Sequence, residues 1–288
     1  MQLNIGSGCN IEFINGVVRK SYNSPNSSLY SQYIWMSKMS KELPYLFPKV
    51  WGWDGLGYFI EDLSKYPKAC DFTGIERSKV IDMCLVTSKR ISEIKEVFGI
   101  NHFNSFLARM DSHWNLMSEY VLKVKHIYVN GREVKNFDYQ VFRSVAESMS
   151  KDFNSLTSNC HGDMTLENCF VDSDRIILID PNPTPDCWRS WILDVAKICQ
   201  SVRFDYEKIF YGNAARIEGD DENISVYITK EKMMWEYWKI LDRNFRYANL
   251  IKILEVSNYL RMLKYKLAQS EEKFRLALSI GSLLMEEI

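Results

Sequence analysis

Several things are missing from this 288-residue chain, and each absence removes a class of protein. Apolar runs approaching the ~20 residues needed to cross a bilayer do not occur. The first residues, Met1-Gln2-Leu3-Asn4-Ile5-Gly6, lack a basic region followed by an apolar core, so no signal peptide is expected. Net charge is only −1, which leaves no global electrostatic case for nucleic acid or an anionic membrane as partner. Seven cysteines are scattered with no C-x-x-C pair. Their odd number, and the apolar surroundings of Cys84 and Cys199, suit buried free thiols in a reducing compartment better than a disulfide framework or a zinc site. The expected location is the cytoplasm. Repeats and low-complexity segments are absent too. What is present is 46% apolar residues against 25% charged, enough for a full core.

The richest stretch is Cys160-His161-Gly162-Asp163-Met164-Thr165-Leu166-Glu167-Asn168, followed by Ile177-Leu178-Ile179-Asp180-Pro181-Asn182. Between them, Cys169–Val171 reads as a short strand, Asp172-Ser173-Asp174 as a turn, and Arg175–Ile179 as the returning strand. Such a hairpin carries Asp180 back beside Asn168. Phosphoryl transfer needs these parts: one carboxylate to orient the attacking hydroxyl, and an amide oxygen with a second carboxylate to hold Mg²⁺. Asp163 suits the first role, Asn168 and Asp180 the second. Taken singly, each is also an ordinary turn or strand-end residue. It is the two halves in order, at short spacing, that point to the chemistry.

Upstream, Gly6-Ser7-Gly8 separates two short strands, and Asn15-Gly16 marks a tight hairpin before Val17-Val18-Arg19-Lys20. A helix is expected over Asn26–Leu43, with Leu29, Tyr33, Met36, Met39 and Leu43 on one face, Asn26 or Ser27 as cap and Pro44 as terminator. Strands begin at Phe47–Trp53 and Tyr58–Leu63. The chain then turns helical over Glu76–Val97, Phe103–Val124 and Phe137–Phe153, with a strand and turn at Ile127–Glu133. Ile209–Asn223 reads as a loop ending in an acidic patch. Lys230–Phe245, Asn249–Gln269 and Ser270–Glu287 read as helices.

The paired motif H-G-D-x-x-x-x-N and apolar-apolar-Asp resembles the aminoglycoside phosphotransferase and choline kinase superfamily. The resemblance covers most of residues 1–200 and fades in the last third. It implies an α+β, two-lobed, protein-kinase-like fold: a small β-rich N-lobe with one helix (1–63) and a larger, mainly α-helical C-lobe (64–288). It further implies an enzyme using ATP and Mg²⁺ to phosphorylate a hydroxyl of a small polar molecule. Ser7 and Gly8 would cover the phosphates and Lys20 would pair with them, although a strand-end lysine is also commonly solvated. Gln32 stands where the family presents a Glu to that lysine; it could hydrogen-bond Lys20 or lie on the surface. Ile60 would line the adenine pocket, with contacts from Glu61, Asp62 and Leu63, unless these form a plain hairpin. His161 and Asp194 would support the catalytic loop from beneath and beside it. Arg261 and Tyr265 are candidates for the acceptor pocket, on a helix that can equally be read as merely amphipathic.

The Ile-Tyr-Val-Asn-Gly, Thr-Leu-Glu-Asn and Asp-Pro-Asn forms look most like members found with surface-polysaccharide enzymes. That favours a sugar or glycan precursor over an aminoglycoside or choline. A nucleotide-binding module without catalysis is the alternative of another class; it rests on the missing Glu and the thin glycine loop.

Overall fold

The computed structural model describes residues 2–5, 9–95, 103–183, 188–229 and 234–288. The chain forms two compact units: residues 1–98 with 159–185, and residues 99–158 with 186–288. The boundary expected near Asp62–Tyr66 lies within the first unit. Among the described residues, no helix is long and apolar enough to cross a membrane.

The first unit starts with β1 (Gln2–Ile5), β2 (Cys9–Ile14) and β3 (Val17–Ser21). Asn15 and Gly16 both take left-handed backbone, φ 50° and 78°, as a tight Asn-Gly hairpin requires. Next come α1 (Ser27–Glu42), β4 (Val50–Trp53) and β5 (Gly57–Glu61). The strands form one antiparallel sheet in the order β1-β2-β3-β5-β4. The Asn26 side chain caps α1 by accepting from the Leu29 N–H at 3.0 Å. Leu29, Trp35, Met36 and Met39 face inward from that helix. Leu29, Tyr58 and Ile60 form the core between α1 and the sheet, flanked by Tyr33, Trp53 and Ile179. Helix α2 (Gly74–Ser92) follows, ending short of the expected Val97.

The second unit opens with α3 (Phe103–Lys123), the hairpin of β6 (His126–Val129) and β7 (Arg132–Val134), then α4 (Tyr139–Ser148) and α5 (Ser150–Ser155). Asn130 and Gly131 repeat the left-handed hairpin pair, φ 51° and 79°. The single helix expected over Phe137–Phe153 is two, broken at Met149, whose N–H turns back to the Ala146 and Glu147 carbonyls.

The chain returns to the first unit for β8 (Cys169–Asp172) and β9 (Arg175–Leu178), antiparallel partners with Cys169 opposite Leu178. Ser173 in the turn has φ 56°.

The remainder lies in the second unit. It holds α6 (Trp191–Phe204), α7 (Tyr206–Tyr211), β10 (Ala215–Gly219), β11 (Asn223–Ile228), α8 (Met234–Arg243), α9 (Ala248–Gln269) and α10 (Glu271–Met285). The loop expected at Ile209–Asn223 is therefore corrected: it contains the end of α7, strand β10 and a hairpin turn. Ile224, Val226 and Ile228 are buried on one face of β11, which pairs antiparallel with β10 and parallel with β6. Because β6 lies about a hundred residues upstream, local pattern gave no hint of this pairing. The acidic patch is the turn itself. Asp220 Oδ1 accepts from the N–H groups of Glu222 and Asn223, and Gly219 takes φ 101°.

Candidate active site

Strand β3 presents Lys20 on the inner face of the sheet, where the residue is only 7% exposed. Its Nζ lies 2.7 Å from Asp180 Oδ1 and 3.1 Å from Gln32 Oε1. These contacts join residues from β3, α1 and the segment after β9, all within one compact unit. Burial alone would lower the pKa of the Lys20 ammonium; the adjacent Asp180 carboxylate outweighs it, so the group lies above its ordinary value and stays charged.

The segment holding Asp163 is built from tight backbone geometry. Gly162 has φ +81°, and a Cβ placed there would stand 2.5 Å from the Asn182 carbonyl oxygen. Only glycine lets the two stretches of backbone pass so closely. They are tied by the Asn182 N–H donating to the His161 carbonyl at 2.9 Å. Thr165 N–H donates to the Asp163 carbonyl at 2.9 Å. Asn168 Nδ2 donates to that same carbonyl at 2.9 Å and lies 3.4 Å from Asp163 Oδ2. The Ile179 N–H donates to the Asn168 carbonyl at 3.1 Å, closing the base of the β8–β9 hairpin. Asp180 follows at once, in left-handed backbone with φ 55°. A non-glycine residue held there is uncommon and marks a constrained position.

His161 is fully buried, with its ring edge-on to Trp35 at 6.0 Å between centroids. Burial depresses its pKa to about 4, against the opposing pull of Asp163 and of backbone hydrogen bonds at Ile179 and Asp163. It is a neutral packing residue at pH 7.

Among the other residues singled out in sequence, Ser7 and Gly8 lie outside the described residues. Ile60 is buried at the end of β5, and Leu63 is buried just beyond it. Glu61 N–H donates to the Lys49 carbonyl and Asp62 N–H to the Gly16 carbonyl, while the Leu63 carbonyl accepts from Tyr66 N–H. Asp194 is fully buried in the first turn of α6, in the second unit. Arg261 and Tyr265 lie on α9 in that unit, Tyr265 59% exposed.

Two residues near the lysine were missed in sequence. Tyr58, opposite Lys20 in the β3–β5 register, is completely buried and close enough to couple electrostatically to Lys20 and Asp180. Cys9 Sγ–H donates to the Ser21 carbonyl at 3.4 Å, and burial raises its thiol pKa. Only the non-local pairing of β3 with β5 reveals Tyr58.

No cluster of three or more His, Cys, Asp or Glu side chains forms a ready-made metal cage among the described residues. Asn168 and Asp180 supply instead one amide and one carboxylate. This is the sparse oxygen set suited to a magnesium ion that keeps most of its contacts with water and substrate phosphates.

No family model matches the sequence, and no curated protein matches it. Solved structures do match. A choline kinase from Streptococcus pneumoniae is similar over 100% of this chain and 94% of its own, at 11% identity and TM-score 0.56. Similarity to a thermostable mutant of aminoglycoside phosphotransferase APH(4)-Ia, in ternary complex with AMP-PNP and hygromycin B, spans 99% and 92%, at 13% identity and TM-score 0.62. A Plasmodium vivax ethanolamine kinase matches over 98% and 82%, at 15% identity and TM-score 0.55. The chain has the α+β, protein-kinase-like fold of these solved structures.

Proposed function

We propose that the chain is an ATP- and Mg²⁺-dependent phosphotransferase that moves the γ-phosphoryl group to a hydroxyl of a small polar molecule. The observation that carries this reading is the meeting of Lys20, Asp180 and Gln32 in the same unit as the Asp163–Asn168 loop. Lys20 is held with its charge intact and an exchangeable partner, so its donors can pass from Asp180 to a nucleotide phosphate. With Nδ2 of Asn168 donating towards Asp163, its Oδ1 is left for a cation beside the Asp180 carboxylate. Asn168 and Asp180 would hold a magnesium ion there, which would supply positive charge against the phosphates. Asp163, braced by Asn168, would accept the acceptor's hydroxyl proton, and the phosphoryl group would pass in line. Positioning and electrostatics supply the catalysis.

Adenine would sit against Ile60 and the backbone of Glu61 to Leu63. By the family resemblance Asp194 is the proposed brace, and Arg261 with Tyr265 the proposed acceptor residues; all three belong to the second unit. For that acceptor we favour a sugar or glycan precursor, since an exposed tyrosine beside an arginine can stack on a ring and hold its hydroxyls. Similar structures include kinases of choline and ethanolamine and a complex with hygromycin B, so amino alcohols and aminoglycosides belong in the same screen.

The test is transfer of labelled γ-phosphoryl to sugars, nucleotide sugars, amino alcohols and aminoglycosides, with Asp163→Asn beside the wild type. Loss of the general base should lower kcat by at least about 100-fold while nucleotide affinity stays within about threefold. Equal rates for the two proteins would instead favour a nucleotide-binding module.

A further inference from the structure

The second unit contains a cavity of about 800 Å³ that none of the proposed catalytic residues lines. Ligand pockets for small molecules fall in the range of roughly 300–1,000 Å³. It lies where three helices finish: Arg203 to Asp205 at the end of α6, Gly212 after α7, and Leu283 to Glu287 at the end of α10. The Asn130 turn of the β6–β7 hairpin and the end of β11 complete it. Asp194, in the first turn of α6, is nine residues before Arg203. At 1.5 Å per residue that is about 14 Å along the helix, so the cavity and the proposed brace occupy opposite ends of one rod.

The walls define what would fit. Val129, Phe204, Ala214, Ile228 and Leu283 give an apolar body. Three cations also line the space, and each already has a carboxylate. Arg203 pairs with Glu287, Lys208 Nζ is 2.6 Å from Asp205 Oδ2, and Arg132 pairs with Glu286 just outside the lining. Arg203 is deeply held as well, its Nη1 donating to the Tyr237 hydroxyl at 2.9 Å. A charged ligand would have to break open the buried pair at Arg203, whose side chain is 4% exposed, or compete with the carboxylates already held by Lys208 and Arg132. The remaining polar groups, Asn130, Asn213 and Thr229, are neutral. Asn130 Oδ1 accepts from the Ile228 N–H, which leaves its Nδ2 as a donor.

We propose that this cavity is a second small-molecule site, taking an uncharged ligand with an apolar body and one or two hydroxyl or carbonyl groups. It does not depend on the phosphotransferase reading.

Three probes share a ring and a phenol but differ in charge at pH 7: 4-ethylphenol, 4-hydroxyphenylacetate and tyramine. Each is titrated into the full chain and followed by NMR chemical-shift changes. Saturable binding of 4-ethylphenol is expected, at least about tenfold tighter than either charged probe. Leu283→Trp, which fills the apolar end, should weaken it at least about tenfold; Thr229→Trp, at an exposed rim position, repeats the test should the first variant fail to fold. The proposal is overturned if no probe saturates, if a charged probe binds as well as 4-ethylphenol, or if the folded occluding variants bind like the wild type. Nucleotide binding, measured in parallel, reports separately on the Lys20 region.

Discussion

Lys20 in the first unit and Arg203 in the second are both buried cations, with side chains 9% and 4% exposed, yet they are held differently. Lys20 has one carboxylate, Asp180, whose side chain is 37% exposed, and one neutral partner, Gln32. Arg203 has Glu255 at 4.0 Å, itself 1% exposed, together with Glu287 and the Tyr237 hydroxyl. Burial raises the Glu255 pKa to about 7 despite Arg203 beside it, a sign of how little water reaches Glu255 itself. A partner that water can reach is a partner that can be exchanged; Glu287, 32% exposed, is one, but Glu255 and the Tyr237 hydroxyl hold Arg203 from within. The Arg203 cluster instead ties α6 to α8, α9 and the end of the chain, and serves packing.

The contrast can be broken most directly at Arg203. Arg203→Leu should cost about 3–5 kcal/mol, because it strands Glu255 in the interior. Urea unfolding measures this, and a loss below about 1 kcal/mol would erase the distinction. Acid gives the next largest effect. His161 is neutral when folded, with its pKa depressed from 6.5 to about 4, so the unfolded chain binds more protons between those values. Its contribution is whole above pH 6.5 and is lost as pH falls towards 4, up to about 3 kcal/mol. Urea midpoints across that window should fall, and His161→Gln should flatten the slope.

Lys20→Met sharpens the other side. Since Asp180 can hydrate once its partner is gone, stability should change by no more than about 1 kcal/mol. Nucleotide affinity should nevertheless drop at least about tenfold, as read by calorimetric titration. A large loss of stability would place Lys20 with Arg203 as a structural cation. The smallest effect is expected for Gln32→Glu. A second carboxylate at Lys20 should add about 0.5 kcal/mol in the same unfolding assay, the size of a partly exposed ion pair.

These two corners also differ in how far the sequence revealed them. Around Lys20 the signals were local. Asn15-Gly16 set the hairpin, Asn26 capped α1, and the run from Cys169 to Ile179 read as the hairpin it is. Gln32 faces Lys20, one of the two alternatives its position left open. Tyr58 was invisible because β3 meets β5 across some forty residues. Around Arg203 the partners lie 34 to 84 residues away, and the parallel pairing of β11 with β6 spans about a hundred. No turn or periodicity announces such contacts, and the acidic turn at Asp220 disguised a strand pair as a loop.

The β8–β9 hairpin works as a caliper. Its base is pinned by the Ile179–Asn168 hydrogen bond, whereas its tip at Ser173 is exposed. Peptide grafted at the tip should leave the jaw spacing alone, making it a natural place for a tag or a reporter. One residue added inside β9 would reverse which way the side chains after it on that strand point, swinging Asp180 away from Lys20.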